Sequence, residues 1–136
     1  MAGLAQLRIQ SGERVDPERD PITLSVATSA VDYLHQVTDF NISVYKWLAE
    51  NYSNVRVISA PELDAANASA NVFYLYAETV ADSGSDDNRV FVQNIQTQFM
   101  TLGVMQKTKG YEEAYSNATA GVMAKRPYAI YRASGI

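Results

Sequence analysis

TAGVMAKRPYAIYRASGI, residues 119–136, is the stretch whose patterning decides the kind of fold this chain can form. Its side chains alternate from residue 122 to 125 and again from 128 to 132, with Val, Ile and Tyr prominent. A period of two in such residues is typical of strands that have one wet face. Because Pro127 cannot donate to a ladder, it predicts either an edge position or a bend between two strand segments. The stretch therefore predicts a closing strand pair.

The first half of the chain predicts two strands separated by two helices. Residues 21–28 (PITLSVAT) alternate, and residues 55–59 (VRVIS) form a short apolar run typical of a buried strand. Residues 30–36 suit a short helix, and residues 39–52 show the clearest helical spacing in the chain. The candidate caps are Ser29 for the first helix and Asn41 or Ser43 for the second.

The second half is rich in strand-forming residues. Residues 72–78 (VFYLYAE) and 89–95 (RVFVQNI) flank a polar tip at 82–88, so they predict a long-loop hairpin. Residues 96–109 are the least regular part of the chain, and residues 111–118 contain good helix formers. Together the elements predict an α+β fold, with a central mixed or antiparallel sheet flanked by two or three short helices.

Composition limits the function classes. The 136 residues amount to one domain, and a hydrophobic content of 47% suffices for a core. No apolar run is long enough to span a membrane, no signal peptide pattern is present, and the absence of cysteine excludes a disulfide framework. A net charge of −4 argues against a nucleic-acid-binding surface, which usually carries a basic stripe.

No residue pattern predicts catalysis, a cofactor or a metal site. His35 is the only histidine, and a zinc site needs three or four ligands. The acidic tip at 82–88 lacks the closing Glu and the flanking helices of a calcium loop. Glu112 and Glu113 are adjacent, so on a strand they would point to opposite faces and could not act as an acid–base pair.

The ending of the chain resembles a known family. The matching residues are Ala120, Gly121, Val122, Arg126, Pro127, Tyr128, Ala129, Ile130, Gly135 and Ile136. Together they resemble the C-terminus of tailed-bacteriophage major capsid (coat) proteins with the Hong Kong 97-type fold, in a phage-related family of otherwise unknown function. Upstream, the helix at 39–52 followed by VRVIS and then APEL is similar to the same family. So is a hydrophobic strand followed by an acidic turn and a second strand.

The resemblance implies a place within the fold. Residues 21–136 would form an axial-type α+β domain, the part of the family's subunit that crowds around the symmetry axes of the shell. Residues 1–20 would be an N-terminal tail, the remnant of a peripheral-domain helix and loop. The family also carries much more chain before this point, so we expect the sequence to be a C-terminal fragment of a coat protein. By the same resemblance, 96–109 would be an apolar loop and 111–118 a strand.

The function implied is that of a structural virion protein that self-assembles into an icosahedral head shell, without enzymatic activity. Its partners would be other copies of the capsid protein, with no specific nucleic acid and no membrane. Assembly would take place in the bacterial host cytoplasm, and the isolated chain would be a monomer or a weak oligomer. The candidate subunit-contact loops contain Asp82, Ser85, Asp86, Asp87, Phe99, Met100, Leu102 and Met105. Basic residues from 107 to 132 could meet acidic residues of a neighbour or could be scattered solubilising charge.

Two other functions remain open on the sequence. A free-standing small α+β ligand-binding module or enzyme would explain the short chain, and a pocket lined by His35, Asp32 and a tyrosine would favour it. An accessory protein that decorates the shell would keep the viral context but change the role. Long edge loops would instead favour the coat-protein interpretation.

Overall fold

The computed structural model describes residues 2–37, 41–81, 84 and 87–135. The strands are β1 (Ile22–Ala27), β2 (Val55–Ala60), β3 (Val72–Ala77), β4 (Phe91–Lys107), β5 (Gly110–Ala124) and β6 (Ile130–Ser134). The α-helices are α1 (Ala2–Gln10), α2 (Val31–His35) and α3 (Val44–Asn51). Short 3-10 helices cover Thr28–Ala30, Pro61–Leu63 and Pro127–Ala129.

The chain divides into two compact units. The sheet unit comprises Met1–Val90 with Arg126–Ile136, and the hairpin unit comprises Phe91–Lys125. The predicted boundary at residue 20 stays a prediction. The helix that precedes it, α1, buries Leu4 and Leu7 in the same core as the strands of the sheet unit.

The sheet unit is organised on a mixed four-stranded sheet with the order β2-β1-β3-β6. β1 pairs with β2 in parallel, and Ile22 lies opposite Val55. β3 pairs antiparallel with β1 on one side and with β6 on the other. Since parallel neighbours need a crossover connection, α2 and α3 fill the chain between β1 and β2. The predicted α+β class, with a mixed sheet and short helices, is confirmed.

The core joins both longer helices to one face of the sheet. Leu7 of α1, Leu48 of α3, and Ile22 and Leu75 of the sheet belong to one cluster of buried side chains. Leu4 and Leu7 are three residues apart, so they project from the same side of the helix. Residues 11–21 contribute Val15, which is fully buried.

The helices differ in detail from the sequence predictions. The helix predicted at 39–52 begins only at Val44; residues 38–40 lie outside the described residues. Ser43 is its N-cap, because the hydroxyl accepts a hydrogen bond from the Lys46 amide at 3.2 Å. Ser29 does not cap α2, the helix that was predicted at residues 30–36. Its hydroxyl donates to an Asp64 carboxylate oxygen instead, and the helix cap is Ala30 without a side-chain hydrogen bond.

The hairpin predicted between 72–78 and 89–95 is wrong. Both edges of β3 are occupied by β1 and β6, so no edge remains for a third strand. The two stretches meet only near their ends in the described residues, where the Val90 amide donates to the Glu78 carbonyl at 3.1 Å beside a bridge between Thr79 and Arg89. The predicted closing strand pair is also wrong. Residues up to Ala124 belong to β5 and residues from Ile130 belong to β6, and these two strands lie in different sheets. The bend predicted at Pro127 is confirmed, because a 3-10 helix begins there.

The apolar loop predicted at 96–109 is a strand. β4 has 17 residues and β5 has 15, and they pair antiparallel from Phe91 opposite Ala124 to Lys107 opposite Gly110. The strand predicted at 111–118 is confirmed as part of β5. Four shifts of register interrupt the ladder, and Gly103 with φ near 97° lies within one of them. These irregularities break the period of two, which explains why the sequence pattern there looked like a loop.

Candidate assembly surfaces

The hairpin unit exposes nearly all of its side chains. No residue from 91 to 125 is buried, although the stretch contains many large apolar residues. Eleven of these are exposed: Phe91, Ile95, Phe99, Met100, Leu102, Val104, Met105, Tyr111, Tyr115, Val122 and Met123. Single exposed apolar residues are ordinary, but a continuous set on one element marks a binding surface.

Local contacts order the half of the hairpin nearest its turn. The rings of Phe99 and Tyr115 stack across the two strands, with centroids 5.3 Å apart and planes 21° from parallel. The Tyr115 hydroxyl donates to a Glu113 carboxylate oxygen at 2.7 Å. That hydrogen bond raises the pKa of Tyr115 above 10.0, because it stabilises the neutral phenol beside a carboxylate. Lys107 forms an ion pair with Glu112 beside the turn.

The predicted contact residues fall in two places. Phe99, Met100, Leu102 and Met105 all lie on β4, so they belong to a strand and not to a loop. Asp87 is a described residue of the acidic tip. Its carboxylate accepts a hydrogen bond from the Arg89 amide at 3.2 Å and pairs with the Arg89 side chain. Asp82, Ser85 and Asp86 lie outside the described residues.

Arg126, from the resemblance motif, is a structural element of the sheet unit. Its guanidinium is buried and donates through Nη1 to the carbonyl oxygens of Asp87 and Arg89, both at 2.9 Å. Residues 87–89 precede the hairpin in sequence, and Arg126 follows it. The Arg126 side chain therefore hydrogen-bonds the segment that leads into the hairpin to the segment that leaves it. Sequence reasoning counted Arg126 among basic residues that could meet a neighbour. Its burial excludes that role.

The other motif residues shape turns and ends. Gly121 sits in β5 with φ near 88°, and Gly135 has φ near 97°, conformations that side chains disfavour. The Gly135 amide donates to the Asn71 carbonyl at 3.0 Å, which fixes the chain after β6. Tyr128 follows Pro127 and lies under the Arg14 guanidinium, 5.8 Å from the ring centre. Ile136 lies outside the described residues.

The sheet unit contains an apolar cavity of about 480 Å³. Its walls include Leu4 of α1, Trp47 of α3, and Leu24 and Phe73 of the sheet. Neither His35 nor Asp32 lines it, and His35 instead contacts Tyr45, with ring centres 4.8 Å apart. The pocket that would have favoured a polar-ligand module or enzyme is therefore not formed by those residues.

Within the described ranges, no group of three or more His, Cys, Asp or Glu side chains could hold a metal ion. Over the same part of the chain, no helix is long and apolar enough to cross a membrane. The exposed apolar surface of the hairpin unit is thus the feature that calls for a functional explanation.

Sequence reasoning missed several members of that surface. Ile95, Val122 and Met123 were not predicted as contact residues, although each is exposed in the hairpin. For Ile95 one signal could have done so: residues 91–106 contain no charged residue and no proline. A long strand at the edge of a sheet usually carries such residues as protection against pairing with other chains.

Comparison with solved structures identifies the fold. The chain is similar to a chain from the capsid of Myoviridae phage XM1, with a TM-score of 0.72, 14% identity, and coverage of 99% of this chain and 44% of that one. It is also similar to a chain of the virus-like particle from Pyrococcus furiosus, with a TM-score of 0.54, 17% identity, and coverage of 95% and 49%. The chain thus spans less than half the length of both. The fold is that of a phage capsid subunit.

Comparison of sequences identifies the family. No curated protein matches the chain. A sequence model of the Pa193 gp26 major capsid protein, however, matches residues 1–135. The resemblance drawn from Gly121, Arg126 and their neighbours is thereby confirmed, because the match covers all but the last residue. The chain belongs to the Pa193 gp26 major capsid protein family.

Proposed function

We propose that the chain forms the axial-type part of a phage major capsid protein, and that its copies assemble into an icosahedral head shell. Family membership supports the role of a structural capsid subunit. The fold likeness to a phage capsid chain and to a virus-like particle chain supports assembly in many copies. The role is mechanical, so no catalytic step, cofactor or metal is part of the proposal.

The observation that carries the proposal is the contrast between apolar content and burial in the hairpin unit. A two-stranded ribbon on its own is at best marginally stable in water. This one has no buried residue and exposes eleven large apolar side chains. Contact with neighbouring copies would remove those side chains from water, and the hydrophobic effect would then favour assembly.

Magnitudes explain why such contacts suit a shell and not a stable dimer. Full burial of one large apolar side chain gains about 1.5–3 kcal/mol. Association of two molecules costs roughly 4–15 kcal/mol in lost freedom, so a few partly covered side chains yield only weak pairing. In a closed shell every copy has several neighbours, and the weak contacts add. The isolated chain is accordingly proposed to be a monomer or a weak oligomer.

The charge of the chain fits a container. With a net charge of −4 the chain has no electrostatic attraction for packaged nucleic acid, which a shell does not need to grip. We propose that the protein resides in the virion and is assembled in the host cytoplasm. A ligand-binding function has weaker support, because the cavity of the sheet unit is almost entirely apolar and His35 and Asp32 are not part of it.

The test is assembly of the complete coat protein that contains this chain. Phe99→Ala and Leu102→Ala remove exposed apolar groups from the hairpin and should lower the yield of particles in electron microscopy and sedimentation. Ile9→Ala is the matched control, since Ile9 is equally exposed on α1 of the sheet unit. Normal particle yields from both hairpin variants would contradict the proposed contact role. Failure of the unaltered protein to form any particle would contradict the assembly function itself.

A further inference from the structure

The apolar cavity of the sheet unit opens to solvent, and among the described residues no charged side chain lines it. Leu24 and Phe73 line it from the sheet, Leu4 from α1 and Trp47 from α3. Val44, the first residue of α3, also lines it and exposes 43% of its surface. Apolar side chains that surround an open concavity mark a site of contact with another group.

The cavity has room for several side chains. Its volume of about 480 Å³ is roughly three times that of an engineered cavity of about 150 Å³ that binds one benzene. About three aromatic or branched aliphatic side chains therefore fit into it. The hydroxyl of Ser43 lies in the wall but already accepts the hydrogen bond from the Lys46 amide. The cavity thus favours an uncharged, apolar occupant, because a polar group buried there would lose its hydrogen bonds to water.

The free energy available in the cavity favours an occupant on the same polypeptide. Burial of about three large side chains gains a free energy of the same order as the cost of bringing two separate molecules together. A separate molecule would therefore bind only weakly. A segment of the same polypeptide is already held nearby, at an effective concentration on the order of millimolar, and avoids most of that cost.

We propose that an uncharged apolar segment of the same coat polypeptide, outside these 136 residues, inserts its large side chains into this cavity. In the proposed function, on which this inference rests, the chain is one part of a longer capsid protein. The similar chains of the phage capsid and of the virus-like particle are each more than twice as long as the part that this chain covers. A complete subunit of that length has ample chain to supply the occupant.

The test measures thiol accessibility, because the chain has no cysteine of its own. Val44→Cys places a thiol in the wall of the cavity, and Ala49→Cys places one at an exposed position of the same helix, outside the cavity. Each variant is prepared as this chain alone, as the unassembled complete subunit and as particles, with any cysteine elsewhere in the complete protein replaced by serine. The rate of reaction with a small maleimide is then measured.

The two thiols should differ only in the complete protein. In the unassembled complete subunit, Val44→Cys should react at least tenfold more slowly than in this chain alone. Ala49→Cys should keep its rate in both, because its surface lies outside the cavity. Equal protection of the two thiols would overturn the inference, since the loss of access would not be specific to the cavity.

The remaining outcomes separate this inference from the proposed function. Protection of Val44→Cys that appears only in particles would overturn the inference, because the occupant would then be a neighbouring copy. A thiol that stays reactive in particles of normal yield would overturn the inference alone and leave the proposed function intact. Protection in an unassembled subunit that never forms particles would support the inference and count against the shell.

A second variant tests whether the occupant lies inside the cavity. Val55→Phe, on β2, adds bulk to the wall and should displace the occupant, so that Val44→Cys in the unassembled subunit reacts at least severalfold faster. Ser59→Phe adds a ring at an exposed position of the same strand and should leave the rate unchanged. Protection that survives Val55→Phe would overturn the placement of the occupant. Circular dichroism of each variant separates displacement from loss of fold.

Discussion

Leu7, Ile22 and Val72 of the sheet unit are almost entirely withdrawn from solvent, whereas Phe99, Leu102 and Tyr111 of the hairpin unit expose 64–77% of their surface. Both units are rich in apolar residues, so composition does not distinguish them. Apolar side chains stabilise a folded chain only where the fold removes them from water. The difference teaches that the stability of this chain resides in the sheet unit, while the apolar content of the hairpin unit is available to neighbours.

The largest effect is expected in the core of the sheet unit. Leu7→Ala leaves a cavity among residues that cannot fully collapse, and should lower the free energy of unfolding by about 2–5 kcal/mol. Urea unfolding followed by the fluorescence of Trp47, which packs against this core, measures it. Ile9→Ala on the exposed side of α1 is the control and should cost within about 0.5 kcal/mol. If Leu7→Ala and Ile9→Ala unfold at similar urea concentrations, the buried core does not contribute the stability assigned to it.

The next effect concerns the buried arginine beside the insertion point of the hairpin. Arg126→Met removes the donor for the carbonyls of Asp87 and Arg89, and should lower the free energy of unfolding by about 3 kcal/mol. Arg126→Lys keeps the positive charge but not the planar guanidinium, so its free energy of unfolding should lie between those of the wild type and Arg126→Met. Arg132→Met, at an exposed site on β6, should have little effect. If Arg126→Met unfolds at the wild-type urea concentration, the role assigned to this residue is wrong.

A smaller effect is expected at the start of α3. Ser43→Ala removes the side-chain acceptor for the Lys46 amide and should cost about 1 kcal/mol in the same unfolding assay. Ser43→Asp restores an acceptor at the cap and should recover most of the loss. Ser53→Ala changes an exposed serine in a turn and serves as the control. Equal stability of Ser43→Ala and Ser53→Ala would show that the cap contributes nothing.

The hairpin should respond far less in the same assay. Phe99→Ala loses an exposed ring stack with Tyr115, so the free energy of unfolding should fall by less than about 1 kcal/mol. The side chain is as large as any in the core, and only its exposure makes the difference. A loss that approaches that of Leu7→Ala would mean that the hairpin unit stabilises the fold, and the contrast between the two units would fail.

The smallest effect is the titration of Tyr115. The raised pKa means that its hydrogen bond to Glu113 is present below pH 10 and is lost as the pH rises through the shifted value. The difference in phenolate absorbance between wild type and Tyr115→Phe isolates this one tyrosine. Glu113→Gln should bring the pKa back toward its ordinary value, and Glu112→Gln should not. If Glu113→Gln leaves the pKa of Tyr115 unchanged, the hydrogen bond between the two side chains is contradicted.

Local pattern predicted much of the sheet unit. The alternation in 21–28, 55–59 and 72–78 predicted β1, β2 and β3, and Ser43 was among the predicted caps. The partners of β3 could not be predicted, because any apolar strand can pair with any other and the choice depends on how the helices cover the sheet. The long β4 was missed, since its register shifts and Gly103 disrupt the alternation on which strand prediction depends.

The candidate site was predicted in part. Phe99, Met100, Leu102 and Met105 were singled out as part of an apolar contact segment, and their contact role stays a prediction, whereas the loop predicted for them is a strand. Arg126 was recognised as a motif residue and as a basic residue that could meet a neighbour, because sequence does not reveal that a charged side chain will be buried against two carbonyl oxygens. The assignment of Asp82, Ser85 and Asp86 to contacts stays a prediction.

The sequence by itself determined the class of fold, the absence of disulfides, and the resemblance to a capsid family, since these depend on residue types and their local order. Only the tertiary structure decided which apolar residues form a core and which remain exposed. Leu7 and Phe99 are equally apolar in the sequence, and their burial differs because α1 packs on the four-stranded sheet, while among the described residues β4 pairs with β5 in a two-stranded sheet. Burial depends on contacts between segments that are distant in the sequence, so no single stretch of sequence determines it.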